Sequence, residues 1–148
     1  MKCGIYTRVS TDNQVNDGES LDEQETKLIG YCKLKNWEVV RVYREEGRSG
    51  KNLDRPQFKE LIRDIESKKI DTVVIKKIDR LSRSILDFEK TYKFFESSGV
   101  SLISLQENFD TSTAIGRAII RTVTVFAQLE REQTAERTLD VMEYRAQQ

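Results

Sequence analysis

Stretches with two different apolar periods alternate along this chain, and that alternation restricts the fold more than any other feature. Residues 2–9, 37–43, 72–78 and 100–105 are short and apolar and read as strands; the first alternates with period two. The stretches between them have helical spacing. Ser20 can cap a helix over residues 21–35, with Glu23 three positions on as a capping box requires. Pro56, the only proline, suits the first turn of a second helix that packs through Phe58, Leu61, Ile62 and Ile65. Leu81, Ile85, Phe88, Tyr92 and Phe95 recur at 4-3-4-3 spacing, one helical stripe. A polar stretch over residues 10–19, and the glycines Gly47 and Gly50, mark loops. Strands alternating with helices predict an α/β fold: a mostly parallel sheet with helices on both faces.

The last segment is different. Nothing breaks a helix over residues 114–148, a length of roughly 50 Å at about 1.5 Å per residue. That exceeds the diameter of so small a domain. Its first half is apolar nearly all round, with Ile115, Ile119, Ile120, Val123, Val125, Phe126 and Leu129. Such a helix wants contacts on two sides, its own domain and a partner, and a dimer answers that need. The expected organisation is a core over residues 1–113 and a long C-terminal helix over 114–148, used for oligomerisation within the same domain.

Composition removes several kinds of chemistry. The 148 residues fit one domain, and no apolar run approaches the roughly 20 residues of a membrane span. The start runs directly into a strand-like pattern without a signal-peptide layout. Cys3 and Cys32 read as buried thiols of a reducing cytoplasm rather than a disulfide. The chain has no histidine, which excludes a Ser-His-Asp machine and any His-ligated metal, and its cysteines lack zinc spacing. Lysine and arginine total 25 against 25 acidic residues, so the net charge is zero. Nucleic-acid binders usually carry a basic excess. Any such contact here must come from local placement of arginines, or from a part of the protein outside these residues.

In an open α/β sheet, ligands gather beyond the carboxyl ends of the parallel strands. The first strand ends in Arg8 and Ser10, which share a face at period two. The third ends in Asp79, Arg80, Leu81, Ser82 and Arg83, where a helix begins; Arg80 and Arg83 share a helical face. One sheet edge thus receives a hydroxyl and three guanidinium groups. A serine attacking a phosphodiester builds negative charge on a five-coordinate phosphorus, and arginine offers a fixed charge and a planar fork for two phosphate oxygens. Each residue also has a plainer reading. Ser10 can form a loop, Asp79 a turn, and the arginines a solvated face paired with Asp79 or Asp87.

The joint pattern resembles the resolvase/invertase family of serine site-specific recombinases. The resemblance is carried by four blocks: Tyr6-Thr7-Arg8-Val9-Ser10-Thr11 with Ser20-Leu21-Asp22-Glu23-Gln24; Lys77-Ile78-Asp79-Arg80-Leu81-Ser82-Arg83; Leu129-Glu130-Arg131; and Glu136-Arg137. Residues 49–56 are similar to the large integrase/transposase branch. The resemblance implies that Ser10 forms a 5′-phosphoserine with cleaved DNA and frees a 3′-OH. Arg8, Arg80 and Arg83 match the arginines that hold the scissile phosphate, and Asp79 the carboxylate that orients them. Gln24 matches an active-site amide, and on its own spacing lies on the Leu21/Leu28 face, pointing inward. Arg55 matches a further active-site arginine. Arg131 and Arg137 match arginines of the long helix, where six residues put them about 120° apart. Glu136 matches a nearby carboxylate. Where the family commonly has Asp after the second strand, Glu45 or Glu46 stands here.

The resemblance further implies transesterification without metal or other cofactor, and DNA as partner. It implies a homodimer that forms a tetramer in the active complex, a bacterial or mobile-element origin, and a separate C-terminal region that reads sequence. Two other readings compete. A non-catalytic dimerisation or regulatory module on the same scaffold would not need Arg8, Ser10, Asp79, Arg80 and Arg83 together. A flavodoxin-like receiver or nucleotide-binding domain needs clustered acids or a glycine-rich phosphate loop.

Overall fold

A computed structural model describes the chain except residues 11–19, 48–54, 83 and 147–148, and except the side chains of Val9, Ser10, Gly47 and Ile85. The expected loops over residues 10–19 and around Gly50 lie almost wholly outside the described residues. Along the chain run β1 (Lys2–Ser10), α1 (Leu21–Leu34), β2 (Glu38–Gly47), α2 (Pro56–Glu66), β3 (Thr72–Ile75), α3 (Ile78–Leu81), α4 (Ile85–Ser97), β4 (Ser101–Ser104), β5 (Phe109–Asp110) and α5 (Ala114–Ala146). Among the described residues the strands form one sheet of order β2-β1-β3-β4-β5. β1 to β4 pair in parallel, and β5 adds antiparallel to β4.

Each strand of the sheet centre is apolar on both faces, because helices cover both. Cys3, Ile5, Val74 and Ile103 meet Leu28 and Cys32 of α1 on one face. On the other, Tyr6, Tyr43, Val73, Ile75 and Leu102 pack with Leu61 and Ile65 of α2, Phe88 and Phe95 of α4, and Ile120 of α5. Cys3 and Cys32 are free thiols in the core. Local signals set the helix starts. The Ser20 hydroxyl accepts from Glu23 N at 3.2 Å, and Pro56 opens α2.

Three expectations need correction: first, the second strand does not end at residue 43 but runs from Glu38 to Gly47, through a glycine expected in a loop. The third strand stops at Ile75 rather than residue 78, because Ile78 begins the short helix α3. The single stripe from Leu81 to Phe95 is broken: Leu81 closes α3, Ser82 is extended, and Ser84 caps a new helix by accepting from Asp87 N at 3.1 Å. β5, two residues long, has too little pattern to be seen in sequence.

α5 is seated through Gly116, Ile120, Val123 and Ala127, a stripe at i, i+4, i+7 and i+11. Residues 128–146 are all exposed. Ile115, Val125, Phe126 and Leu129 present apolar surface on the seated half, and Leu139, Val141, Met142 and Tyr144 on the projecting half. Among the described residues no helix is long and apolar enough to cross a membrane.

A polar network ties α2 to edge strand β2. Tyr43 donates to Asp64 Oδ2 at 2.5 Å, and Arg41 Nη1 donates to the same oxygen at 3.2 Å. The hydrogen bond from Tyr43 holds the Asp64 carboxyl below the usual range, against the opposing effect of burial, and Arg41 and Lys69 add to it. A carboxyl depressed in the folded state stabilises fully above the unfolded pKa of about 3.9, and that stabilisation is lost as pH falls from there through the folded value. Asp64→Asn should therefore lower stability at neutral pH by about 1–3 kcal/mol. In urea melts, the gap from wild type should narrow at pH 3; a gap of constant size would remove the ionised carboxylate from this role.

Candidate active site

β1 is longer than β3, and this length difference builds the site. Tyr6 pairs with Ile75 at the last rung between them, whereas β1 continues beside β2 with Arg8 opposite Glu45 and Ser10 opposite Gly47. The space left beyond the end of β3 is filled by α3, the segment carrying Asp79 and Arg80. The carboxyl ends of two parallel strands and a helical turn therefore converge at one sheet edge.

Two arginines fasten α3 there. Arg8 Nη2 donates to the Asp79 carbonyl at 2.6 Å, and Arg55 Nη2 donates to the Leu81 carbonyl at 2.5 Å. Arg55 also donates to the Tyr6 hydroxyl, from Nε at 3.3 Å and Nη2 at 3.2 Å. Its guanidinium lies over the Phe58 ring at 4.1 Å. Tyr6 passes its own proton on, donating to Glu45 Oε2 at 3.1 Å. Glu45 in turn accepts from Phe58 N at 3.0 Å and Gln57 N at 3.4 Å, so its carboxylate caps the first turn of α2. Burial pushes the Tyr6 phenol up to about 12, only partly offset by Arg55, so at neutral pH it stays protonated and donates.

Arg80 is 3% exposed, on the inner side of α3, which a solvated face would not produce. The Asp79 side chain points to solvent, 61% exposed, with Lys77 Nζ at 3.5 Å from Oδ2 and Arg80 Nε at 3.9 Å from Oδ1. What Arg8 grips is thus the main chain of Asp79, not its carboxylate. An open cleft of ≈ 580 Å³ adjoins α3, with Lys77, Asp79, Ser82 and Glu107 on its polar side and Phe88 and Val123 on its apolar side.

Two buried polar side chains, Gln24 and Ser82, have no hydrogen-bond partner among the described residues. Gln24 is fully buried in α1, one turn from its start, and neither amide atom makes a hydrogen bond. The Ser82 hydroxyl, between α3 and α4, is also unpaired. Buried polar groups are rarely left without a partner.

Arg8, Arg55, Asp79, Arg80 and Glu45 are therefore brought together. The backbone of Ser10 lies two residues beyond Arg8 on the same strand, while its side chain, and all of Arg83, fall outside the described residues. Of the two glutamates at the end of β2, Glu45 is buried in this network and Glu46 is exposed. The long-helix residues are not brought in. Arg131 Nη1 is held by Glu89 Oε2 of α4 at 2.8 Å, and Glu136 and Arg137 lie on the exposed half of α5. Tyr6 was missed as a site residue. Its signal was available: it stands two positions before Arg8, on the same face of the strand.

Known proteins share this sequence pattern and fold. The chain matches the model described as Resolvase, N terminal domain, over residues 3–148. It is 38% identical over 133 residues to the Transposon Tn917 resolvase of Enterococcus faecalis, which covers 90% of this chain and 65% of that protein. With the DNA-invertase hin of Salmonella typhimurium it shares 36% identity over 134 residues, 90% of this chain and 63% of that one. The chain thus spans less than two thirds of the length of either. The N-terminal catalytic domain of TP901-1 integrase is 40% identical with a TM-score of 0.81, covering 90% of this chain and 98% of that one. A resolvase family site-specific recombinase from Streptococcus pneumoniae is 30% identical with a TM-score of 0.82, covering 100% and 99%. By this match and by its fold, the chain belongs to the resolvase family, through the N-terminal domain that the family shares.

Proposed function

We propose that this chain is the catalytic domain of a serine recombinase, cutting and rejoining DNA by transesterification with Ser10 as the nucleophile. The observation that carries this reading is the convergence of Arg8, Arg55 and Arg80 on the sheet edge where the strand bearing Ser10 ends. Related proteins named as a transposon resolvase and DNA-invertases support the substrate class.

In this mechanism the Ser10 oxygen attacks a backbone phosphorus and its proton leaves. The bond to the 3′ oxygen breaks, giving a 5′-phosphoserine and a 3′-OH. After strands are exchanged, a 3′-OH attacks the phosphoserine and returns the serine. One phosphoester replaces another at each step, so no nucleotide, metal or redox cofactor is consumed. Arg8, Arg80 and Arg83 stabilise the charge that grows on the phosphoryl oxygens, where donors already in place contribute most. Gln24 supplies an amide with unused hydrogen-bonding capacity. Asp79 balances the local positive charge, and Arg55 with Glu45 holds α3 in register. The exposed apolar residues of the seated half of α5 form the dimer, and two dimers supply the four serines needed to cut both strands at two sites. Arg131, Glu136 and Arg137 act along the long helix beside the DNA. A further region reads the target sequence.

The test fuses this chain to a DNA-binding region of chosen specificity and incubates it with DNA carrying two copies of that region's site. Wild type should yield a denaturant-resistant protein–DNA adduct, and Ser10→Ala none. An adduct that persists in Ser10→Ala takes the nucleophile's role away from that residue.

A further inference from the structure

The long helix carries an arginine whose direction is already fixed by another element. Arg131 lies where α5 leaves the domain: among the described residues Ala127 is the last buried one, and residues 128–146 are exposed. An arginine at the root of a projecting helix would ordinarily sample many rotamers. Here Nη1 donates to Glu89 Oε2 at 2.8 Å, across to α4. The Glu89 side chain is 11% exposed, and its other oxygen lies 3.3 Å from Lys93 Nζ. The anchor is therefore a buried carboxylate held from two sides. Hydrogen bonds from Arg131 and Lys93 keep it below the usual carboxylate range, so it is ionised at neutral pH.

The pairing does not consume the arginine. Its side chain is 42% exposed, and a guanidinium has five N–H donors. Nη1 is pinned to α4, and the side chain keeps surface open to solvent.

We propose that Glu89 is a positioning residue for Arg131: it fixes the guanidinium at the root of the long helix so that its free edge meets a DNA backbone phosphate. This rests on the reading of the chain as a DNA-cleaving domain, and adds a residue that none of the sequence motifs contained. Glu89 touches no substrate. It removes the rotamer freedom that Arg131 would otherwise lose on binding, and preorganisation of that kind strengthens a contact without adding one.

The sign of the effect separates this role from plain electrostatics. Removing a negative charge from a DNA-binding face should tighten binding by Coulomb attraction alone. If Glu89 positions Arg131, removing it weakens binding instead. The experiment measures affinity of the 148-residue chain for a fluorescent DNA duplex at several low salt concentrations, with thermal melts to establish that each variant is folded. Arg131→Ala should weaken binding and reduce the slope of log K against log salt by about 0.9, one phosphate contact. Glu89→Gln should weaken binding about fivefold, and should cause no further loss when combined with Arg131→Ala. Glu89→Asp, which keeps the charge on a shorter arm, should recover part of the loss.

Unchanged or tighter binding by Glu89→Gln, with Arg131→Ala still weakened, overturns the positioning role and leaves the DNA reading intact. If Arg131→Ala itself binds like wild type, Arg131 does not meet DNA and the inference falls with that contact. The Ser10 adduct assay is independent of either outcome.

Discussion

Gly116→Ala should destabilise the domain by about 3 kcal/mol, at the upper end of what overpacking costs, and lower the midpoint of thermal unfolding by roughly 6–12 °C. A Cβ at this position would lie 1.8 Å from the Asp110 carbonyl oxygen and 2.4 Å from its carbon. The obstacle is backbone, so no rotamer change relieves it. Asp110 cannot retreat easily either, since it pairs with Ile103 of β4, and its carbonyl accepts from Thr113 N at 3.1 Å and Thr113 Oγ1 at 2.7 Å. The helix would have to lift away from β5, taking Ile120 out of the core. Gly30→Ala is the matched control. Gly30 lies inside α1, and a Cβ there meets nothing within 4 Å. Helix propensity should then stabilise by up to about 1 kcal/mol. Opposite signs for one substitution in two helices would attribute the first to the Asp110 contact. Equal melting of Gly116→Ala and wild type would mean that α5 is not seated this closely.

What could be read from sequence follows from how local each signal is. The parallel sheet was visible because strand-like and helix-like stretches alternate along the chain, and Pro56 and Ser20 mark helix starts by their own chemistry. α5 was visible through the absence of any breaker after residue 114. The end of β3 was not. Residues 76–81 remain compatible with a strand running into a helix, and only the greater length of β1 shows why the chain turns at Ile78 to fill the edge. Within the site, Arg8, Arg55, Asp79, Arg80 and Glu45 were all named beforehand, yet their interactions were not. That Arg8 grips a main-chain carbonyl, and that Arg55 reaches Tyr6 and Leu81 together, depends on separations of 26 to 71 residues along the chain. Spacing rules do not extend so far. Glu89 was invisible for a related reason: its partner lies 42 residues away on another helix.

The network behind α3 yields the other large effect, because a single carboxylate supports several groups at once. Glu45→Ala would leave the Tyr6 hydroxyl without its acceptor and two amides of the first turn of α2 uncapped. Each loss is of a buried or partly buried hydrogen bond, the two amides and the phenol all donating to a charged acceptor. Bonds of that kind contribute about 1.5–3 kcal/mol apiece when tested singly, and here they share one group. A destabilisation of about 3 kcal/mol is expected, read as a lower urea midpoint. Activity should fall further than stability does. Arg55, no longer oriented by Glu45 through Tyr6, would lose its hold on the Leu81 carbonyl, leaving α3 with the Arg8 contact and the hydrogen bond from Ile78 N to Glu107. A displacement of about 1 Å in Arg80 is enough to reduce adduct formation about 100-fold. Two milder variants separate these effects. Tyr6→Phe cuts the same link to Arg55 but leaves Glu45 on the α2 amides, so it should retain most of the stability while slowing adduct formation. Arg55→Lys keeps the charge but not a fork able to meet Tyr6 and Leu81 together, so it should melt close to wild type and still form adduct tens of times more slowly. If Arg55→Lys forms adduct at the wild-type rate, α3 is held by something other than this arginine, and the Glu45 network serves stability alone.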